Sequence, residues 1–225
     1  MLRSQLLDTL TNYILQKPLE HPLRVAIDGI DNAGKSKLAK ELMFPVRKSK
    51  RQVISISIDG FHHPKEYRYR RGEFSPEGYY YDSFLLDSVI SDVLQPLSPD
   101  GNRMFRRKIF DFSIDQKIES PWEEAQEDAI LLFDGIFLFR QELNAFWDIR
   151  IYVDIDPEIS LDRAIKRDMY YYNSIETIQK KYHLRYFPAH QIYQERCHPK
   201  KQADVIIENN DWQSPSILFQ RAVAG

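Results

Sequence analysis

The sequence predicts a three-layer α/β fold in which helices cover both faces of a mainly parallel, five-stranded sheet. Five short apolar runs, rich in β-branched residues, alternate with helical patterns, and this alternation is typical of parallel sheets with right-handed crossovers. The expected strands are residues 23–27, 53–58, 129–133, 149–153 and 205–207. At 225 residues, the chain is long enough for one such domain and short for two.

Apolar spacing, together with proline signals, predicts the helices that connect these strands. The expected helices are residues 4–16, 35–43, 82–94, 157–168, 174–182 and 188–196. The second of them should stop at Pro45, and a basic run at 103–112 leads into an edge or hairpin strand. Residues 61–81 form a polar and aromatic insertion without clear periodicity, and connections of this length are often functional. We therefore treat residues 1–225 as one domain that carries an insertion at about 60–81.

Composition and charge are ordinary for a soluble globular protein. Charged residues make up 28% of the chain, hydrophobic residues 43%, and the formal net charge is −2. That charge gives no support for a nucleic-acid binder whose affinity rests on neutralising phosphates. The single cysteine, Cys197, excludes an intrachain disulfide and a cysteine-based zinc site. Without a signal-peptide layout or an apolar run near the roughly 18 residues that span a bilayer, we expect a cytoplasmic protein with no membrane partner.

A complete phosphate-binding motif lies between the first strand and the helix that follows it. Residues Gly29–Ser36 read Gly-Ile-Asp-Asn-Ala-Gly-Lys-Ser and match the pattern G-x-x-x-x-G-K-[ST]. A strand, a glycine loop and a helix start together bring backbone N–H groups to a phosphate chain. Gly29 and Gly34 allow close approach, Lys35 can reach the β- and γ-phosphates, and the Ser36 hydroxyl can ligate Mg²⁺. The motif therefore predicts a P-loop NTPase fold that binds a nucleoside triphosphate.

Two arginines further along the chain could close over that nucleotide. Arg163 and Arg167 lie four residues apart on one helix face, within a candidate lid at about 163–187. An exposed, ion-paired face is the alternative interpretation of this pair. Arg185 is a further candidate for lid charge. With ATP and Mg²⁺ as the ligands, the expected nucleotide-binding residues are Gly29, Ile30, Asp31, Asn32, Ala33, Gly34, Lys35, Ser36, Lys37, Arg163 and Arg167.

Two carboxylates follow predicted strands and should lie beside the P-loop. Asp59 ends the second strand and Asp134 ends the strand at 129–133. Because the carboxyl ends of parallel strands meet at one edge of a sheet, all three features should share a ligand site. Phosphoryl transfer needs a metal on the phosphates and a carboxylate that orients or deprotonates the acceptor hydroxyl. Asp134 suits the metal and Asp59 the acceptor, although each precedes a glycine and Asp-Gly is also a common turn pair.

The insertion after Asp59 supplies candidate acceptor contacts. His62 and Arg71 lie in a loop where basic residues are interleaved with tyrosines, as expected of a site for an anionic or hydroxyl-rich substrate. A solvated loop with incidental charge is the alternative. The basic run Arg103–Lys108 fits a solvated strand edge better than a site.

Four segments together resemble the uridine kinase, pantothenate kinase and phosphoribulokinase branch of P-loop kinases. They are residues 29–36, 58–62, 132–138 and 203–209, and the similarity extends over about residues 23–210. The resemblance implies an ATP-dependent kinase in which Asp59 is the catalytic base and Lys35 stabilises phosphate charge. It also implies that Ser36 and Asp134 hold magnesium. Related kinases often assemble as oligomers, so the resemblance allows a homo-oligomer.

The acceptor segments depart from the uridine kinase pattern. Ser75 stands where uridine kinases place an aspartate on the ribose hydroxyls. Phe110-Asp111-Phe112 keeps the start of a base-contacting run, which makes Asp111 a candidate substrate contact, but Asp115 and Lys117 replace its His and Arg. The run Asp59-Gly60-Phe61-His62, with Pro64, looks closer to pantothenate kinases.

Three functions therefore remain open from the sequence. The first is a kinase for a nucleoside such as uridine or cytidine, and the second a kinase for pantothenate or a sugar phosphate. The third is a nucleotide-binding regulatory protein without a small acceptor. A GTPase switch is disfavoured because the sequence contains no Asn-Lys-x-Asp guanine-reading motif.

Overall fold

A six-stranded sheet forms the centre of the molecule in the computed structural model, which describes residues 1–17, 20–172 and 174–219. Its strands are β1 (Leu23–Asp28), β2 (Val53–Ser57), β7 (Ile130–Asp134), β8 (Ile149–Asp154), β9 (Val205–Glu208) and β10 (Ser216–Phe219). Their order across the sheet is β10-β9-β8-β1-β7-β2. The α/β class, the mainly parallel sheet and the five expected strands are therefore confirmed.

The sixth strand, β10, was not expected from the sequence. It pairs antiparallel with β9 at the sheet edge, whereas the other five strands run parallel. Three of its four residues are exposed. This strand is therefore stabilised mainly by backbone pairing with β9. Because few of its side chains are buried, its sequence shows no alternating apolar pattern.

Helices cover both faces of the sheet. Their bounds are α1 Arg3–Leu15, α2 Lys35–Arg47, α3 Lys65–Arg68, α4 Pro76–Asp82, α5 Leu86–Val89, α6 Gln141–Asn144, α7 Pro157–Tyr172, α8 Ile175–Lys181, α9 Phe187–Cys197 and α10 Pro199–Gln202. A 3₁₀ turn occupies Ile58–Phe61, and wider π-type turns occupy Ile90–Leu94 and Tyr182–Tyr186. None of the helices in the described ranges is long and apolar enough to cross a membrane.

Three helix boundaries differ from the expected ones. Helix α7 continues to Tyr172 instead of ending at about residue 168. Helix α2 continues through Pro45 to Arg47, because proline removes only one helical hydrogen bond and the buried Val46 holds the last turn in the core. The helix expected from Asp82 begins instead at Leu86. The chain leaves the helical conformation after Ser83, and Phe84 pairs with His62 in an antiparallel bridge.

The segment expected as an edge or hairpin strand forms two small antiparallel pairs. Strand β3 (Met104–Phe105) pairs with β6 (Glu123–Glu124), and β4 (Phe110–Asp111) pairs with β5 (Gln116–Lys117). These pairs lie beside the insertion that contains α3 and α4, and they place the residues around Phe110 near the carboxyl ends of the parallel strands.

The core has one apolar layer on each face of the sheet. Strands β1 and β7 lie next to each other at its centre and are buried at every residue, which explains their continuous apolar sequence. The register pairs Ile27 of β1 and Ser57 of β2 with Asp134 of β7. This register brings the P-loop, Asp59 and Asp134 to the same edge of the sheet.

Candidate active site

A cleft of about 1240 Å³ opens at the carboxyl edge of the parallel strands. The P-loop after β1 forms its floor, and α7 with the turn at 182–186 forms one side. The insertion with α3 and α4, together with the segment 108–113, forms the other side. The site residues expected from the sequence that line this cleft are Asp31, Asn32, Gly34, Lys35, Ser36, Lys37, Asp59, His62, Asp111, Asp134, Arg163, Arg167 and the further lid candidate Arg185.

The P-loop has the backbone shape that its two glycines allow. Gly29 has φ +149°, and a Cβ there would lie 2.2 Å from the Val153 carbonyl oxygen. Gly34 has φ +98° and begins α2, so the helix N-terminus points its free N–H groups into the loop. Lys35 is buried and its Nζ donates to the Ile30 carbonyl at 2.7 Å. Burial lowers the pKa of Lys35, although the surrounding carboxylates oppose this shift.

Ser36 and Asp134 form a hydroxyl–carboxylate pair beside the loop. The Ser36 Oγ donates to the Asp134 Oδ2 at 2.5 Å, and the Ser57 Oγ approaches the same oxygen at 3.3 Å. Burial raises the pKa of Asp134, and the hydrogen bond from Ser36 opposes that shift. Oxygen donors of this kind fit Mg²⁺, which often binds one or two protein groups and completes its shell with phosphates and water. Within the described ranges, no group of three or more His, Cys, Asp or Glu residues could hold a metal.

Asp59 lies opposite this pair and is held by His62. The Asp59 side chain is 71% exposed to the cleft, and its Oδ1 lies 3.4 Å from the His62 Nε2. The other ring nitrogen, Nδ1, lies 3.0 Å from the Ser83 carbonyl, which can only accept, so Nδ1 must carry a hydrogen. The surrounding cleft would by itself raise the pKa of Asp59. The hydrogen bond and charge of His62, followed by Lys35, outweigh this effect and lower it.

His62 therefore contacts the expected base rather than standing free toward an acceptor. Its ring is buried between Phe84 and Phe112, with centroid distances of 4.5 and 4.7 Å. The structure places His62 in the cleft wall, where it orients Asp59.

The two lid candidates both line the cleft and have different partners. Arg163 donates to the backbone carbonyls of Asn32, Asn209 and Asn210 at 3.2, 2.7 and 2.9 Å, and burial lowers its pKa. Arg167 forms a two-pronged contact with Asp168 at 2.6 and 3.0 Å while its side chain stays 61% exposed. Arg163 thus links the P-loop to the segment after β9, and Arg167 projects from α7 into the cleft.

Arg71 is not among the residues that line the cleft in the described part of the chain. Its Nε donates to the buried Asp82 at 2.7 Å, and Arg70 binds the same carboxylate at 2.8 Å. A buried carboxylate needs such partners, which explains why both arginines turn toward α4. Acceptor binding by Arg71 therefore has no support from its position.

Arg185 supports the candidate lid from within and does not project exposed charge from it. It is buried, and its guanidinium donates to the carbonyls of Arg68, Gly72, Glu73 and Ser75 at 3.0 to 3.3 Å. These bonds tie the turn at 182–186 to the insertion between α3 and α4.

Several contacts of the site join residues far apart in sequence and were missed. Asp28, at the end of β1, is fully buried and accepts hydrogen bonds from the Tyr193 hydroxyl and from the Gly29 N–H. Burial raises the pKa of Asp28 to about 6. The Tyr79 hydroxyl donates to the Asp31 Oδ1 at 2.8 Å. One sequence signal was available for Asp28, which is an aspartate at the end of an apolar strand. Nothing in the sequence near Tyr79 or Tyr193 indicates which residue its hydroxyl contacts.

The fold and the cleft define a P-loop phosphotransferase, and comparisons with known proteins agree. The model of the Phosphoribulokinase / Uridine kinase family matches residues 25–214. The chain therefore belongs to the Phosphoribulokinase / Uridine kinase family. It is a phosphotransferase that acts on a hydroxyl group.

The relatives share modest identity with the chain. The uridine kinase of Chlamydia pneumoniae is 30% identical over 144 residues, which cover 62% of this chain and 63% of that protein. The uridine-cytidine kinase 2-B of Danio rerio is 26% identical over 204 residues, which cover 84% and 74% of the two chains. A solved structure, "a Possible Uridine Kinase from Bacillus stearothermophilus", has a TM-score of 0.70 at 22% identity and covers 89% and 96% of the chains. At that identity, the last comparison supports the fold alone.

Proposed function

We propose that the chain is an ATP-dependent kinase that transfers the γ-phosphate to a hydroxyl of a small, nucleoside-like acceptor. The observation that supports this most strongly is one cleft containing Lys35, the Ser36–Asp134 pair and Asp59 together. Phosphoryl transfer depends mainly on positioning and on charge stabilisation, and these residues supply both.

The phosphate side of the cleft would hold the triphosphate. Loop N–H groups at the start of α2 and the Lys35 ammonium would bind the β- and γ-phosphates. Ser36 and Asp134 would hold Mg²⁺, which neutralises charge on the phosphates when it is bound. Arg163 and Arg167 would close this side from α7.

The base of the nucleotide would lie next to the P-loop, away from Asp59. A recess of about 150 Å³ there is lined by residues of α2, α7 and the segment after β9, among them Lys37, Arg163, Asn209 and Trp212. The Lys37 Nζ lies 3.6 Å from the centre of the Trp212 ring. A planar base suits such a recess because aromatic faces and cations both stack on it.

Asp59 would take the proton of the acceptor hydroxyl. As the acceptor oxygen bonds to the γ-phosphorus, the bond from that phosphorus to the β,γ-bridging oxygen breaks and ADP leaves. The proton of the hydroxyl passes to the Asp59 carboxylate, which His62 holds at 3.4 Å in the required orientation.

A second candidate acceptor is a non-nucleoside metabolite such as pantothenate or a sugar derivative. Asp115, at the position of the base-contacting histidine, binds Arg68 at 2.6 Å and the Lys65 N–H at 3.0 Å. Ser75, at the position of the ribose-binding aspartate, caps α4 by accepting from the Gly78 N–H at 3.0 Å. Both groups are used within the fold, which favours contacts unlike those of uridine kinases.

An acceptor screen tests the proposal. ADP release from Mg-ATP would be measured with uridine, cytidine, nicotinamide riboside, pantothenate, sugars and sugar phosphates. We expect a strong signal on a nucleoside. A signal only on pantothenate or a sugar would move the substrate class and keep the kinase chemistry. ADP release that no acceptor stimulates would contradict the kinase and favour a nucleotide-binding regulatory protein.

A further inference from the structure

The P-loop carries a carboxylate that phosphate binding does not explain. Asp31 is the third residue of the loop, and a negative charge close to a triphosphate is unfavourable unless it faces elsewhere. Its Oδ1 accepts from the Tyr79 hydroxyl at 2.8 Å, and Tyr79 belongs to α4 in the insertion. Asp31 therefore contacts the insertion, which forms the acceptor side of the cleft.

The backbone on both sides of this side chain is anchored. The Ser160 Oγ donates to the Asp31 carbonyl at 2.7 Å, and the Asn32 Nδ2 donates to the Tyr182 hydroxyl at 2.6 Å. Asn32 has a left-handed φ of +58°, which turns the chain sharply after Asp31. These contacts from α7 and the turn at 182–186 fix the direction in which the carboxylate points.

One oxygen of this carboxylate is available to a ligand. Among the residues whose side chains the structure describes, none donates a hydrogen bond to the Asp31 Oδ2, although Asp31 lines the cleft. Burial raises the pKa of Asp31, the charge of Lys35 opposes this shift, and the charge of Asp59 adds to it.

Three cations that line the cleft already have carboxylate partners. Arg68 binds Asp115 at 2.6 Å, Arg167 binds Asp168 at 2.6 Å, and Lys108 lies 3.9 Å from Asp111. An anionic acceptor would have to approach the negative charges of Asp31 and Asp59, which disfavour it. Neutral hydroxyl groups avoid this repulsion, because a carboxylate accepts their hydrogen bonds directly.

We propose that Asp31, oriented by Tyr79, is a specificity-determining residue that accepts hydrogen bonds from acceptor hydroxyls beside the one that Asp59 activates. The cleft then selects uncharged polyhydroxyl acceptors and discriminates against phosphorylated or carboxylated ones. The P-loop thereby supplies the carboxylate that Ser75 does not. This inference rests on the proposed kinase function and narrows its acceptor class.

The test uses the full chain with Asp31→Asn, which keeps the shape of the side chain and can place a donor where Oδ2 accepts. We expect the KM of the best neutral acceptor in the screen to rise about tenfold or more, as for a lost hydrogen bond to a charged group. The KM of Mg-ATP should stay the same or fall, because a negative charge near the phosphates is gone. Tyr79→Phe should raise the acceptor KM less than Asp31→Asn does. The effects of the two substitutions on this KM should not be additive, because both act on the same contact.

Tyr81→Phe is the matched control, since Tyr81 lies on the same helix, is exposed and is not among the described residues that line the cleft. A purely structural role for Asp31 in the P-loop would weaken Mg-ATP binding and leave the acceptor KM unchanged, and that result would overturn the inference. Wild-type ADP release driven only by pantothenate or sugar phosphates would also overturn it, while the kinase function would stand. Absence of stimulation by every acceptor would contradict the proposed function and this inference with it.

Discussion

The substitution Asp28→Asn should change how stability depends on pH, because this carboxyl is buried beneath the P-loop. Burial raises its pKa from 3.8 to about 6. A raised folded-state pKa means that the folded chain binds the proton more tightly than the unfolded chain. The stability that this proton provides is complete below about pH 3.8 and is lost as the pH rises through about 6.

The size of the effect follows from the shift. A difference of about two pKa units corresponds to about 3 kcal/mol of unfolding free energy at 1.36 kcal/mol per unit. The Asp28→Asn variant cannot ionise at this position, so its stability relative to the wild type should increase by about that amount between pH 4 and pH 7. Subtracting the two curves cancels the contribution of every other titrating group.

Urea unfolding of both proteins at several pH values measures this difference. Asp87→Asn, on the exposed start of α5, is the control for the loss of a carboxylate at the surface. A flat difference for Asp28→Asn would show that this carboxyl ionises as it does in water, and the account of the buried Asp28–Tyr193 contact would be refuted.

Three further changes test the geometry of the site and of the insertion. Ser36→Ala removes the hydroxyl that donates to Asp134 at 2.5 Å, and it should raise the Mg²⁺ concentration for half-maximal ADP release at least about tenfold. Gly29→Ala would place a Cβ 2.2 Å from the Val153 carbonyl oxygen, and thermal unfolding should show a loss of about 2 kcal/mol or more together with weaker nucleotide binding. Arg185→Lys cannot reach all four carbonyls that the guanidinium binds, so chemical denaturation should show a loss on the order of 2 kcal/mol.

Two control variants sharpen the first two of these experiments. Ser57→Ala removes a longer contact to Asp134, at 3.3 Å, and should shift the Mg²⁺ dependence less than Ser36→Ala. Gly72 has φ +104°, and apart from its chain neighbours no atom of the described residues lies within 4 Å of an added Cβ, so Gly72→Ala should cost only about 1 kcal/mol of backbone strain. Equal effects within either pair would contradict the distances on which the predictions rest.

The parallel sheet could be predicted because burial on both faces leaves a continuous apolar run in sequence. Strands β1 and β7 are buried at every residue and were found on that signal. Strand β10 is mostly exposed and is positioned by pairing with β9, so its sequence contains no comparable pattern. The helix break between α4 and α5 was missed because the bridge from Phe84 to His62 joins residues that are distant in sequence.

The positions of the residues proposed to be catalytic could be predicted where the local sequence determines them. A complete P-loop motif fixes Lys35 and Ser36, and the ends of two strands fix Asp59 and Asp134. Orienting contacts depend on residues distant in the chain. Tyr79 reaches Asp31 across 48 positions, a pairing that only the assembled fold creates.

The contacts of two arginines also depend on residues that are distant in the chain. The sequence suggested Arg185 as a source of lid charge, whereas it binds backbone carbonyls of the insertion. Arg71 was expected to bind the acceptor, whereas its side chain binds the buried Asp82. The charge of an arginine is readable from sequence, but its partner is decided by which acceptors the fold leaves buried nearby.

The central claim is that Asp59 activates the acceptor hydroxyl while the P-loop holds the nucleotide. The most direct measurement is acceptor-dependent ADP release by Asp59→Asn, alongside its affinity for Mg-ATP. We predict turnover reduced at least about a hundredfold with nucleotide affinity nearly unchanged, and Asp87→Asn should match the wild type in both. Near-normal turnover in Asp59→Asn would contradict this role of Asp59.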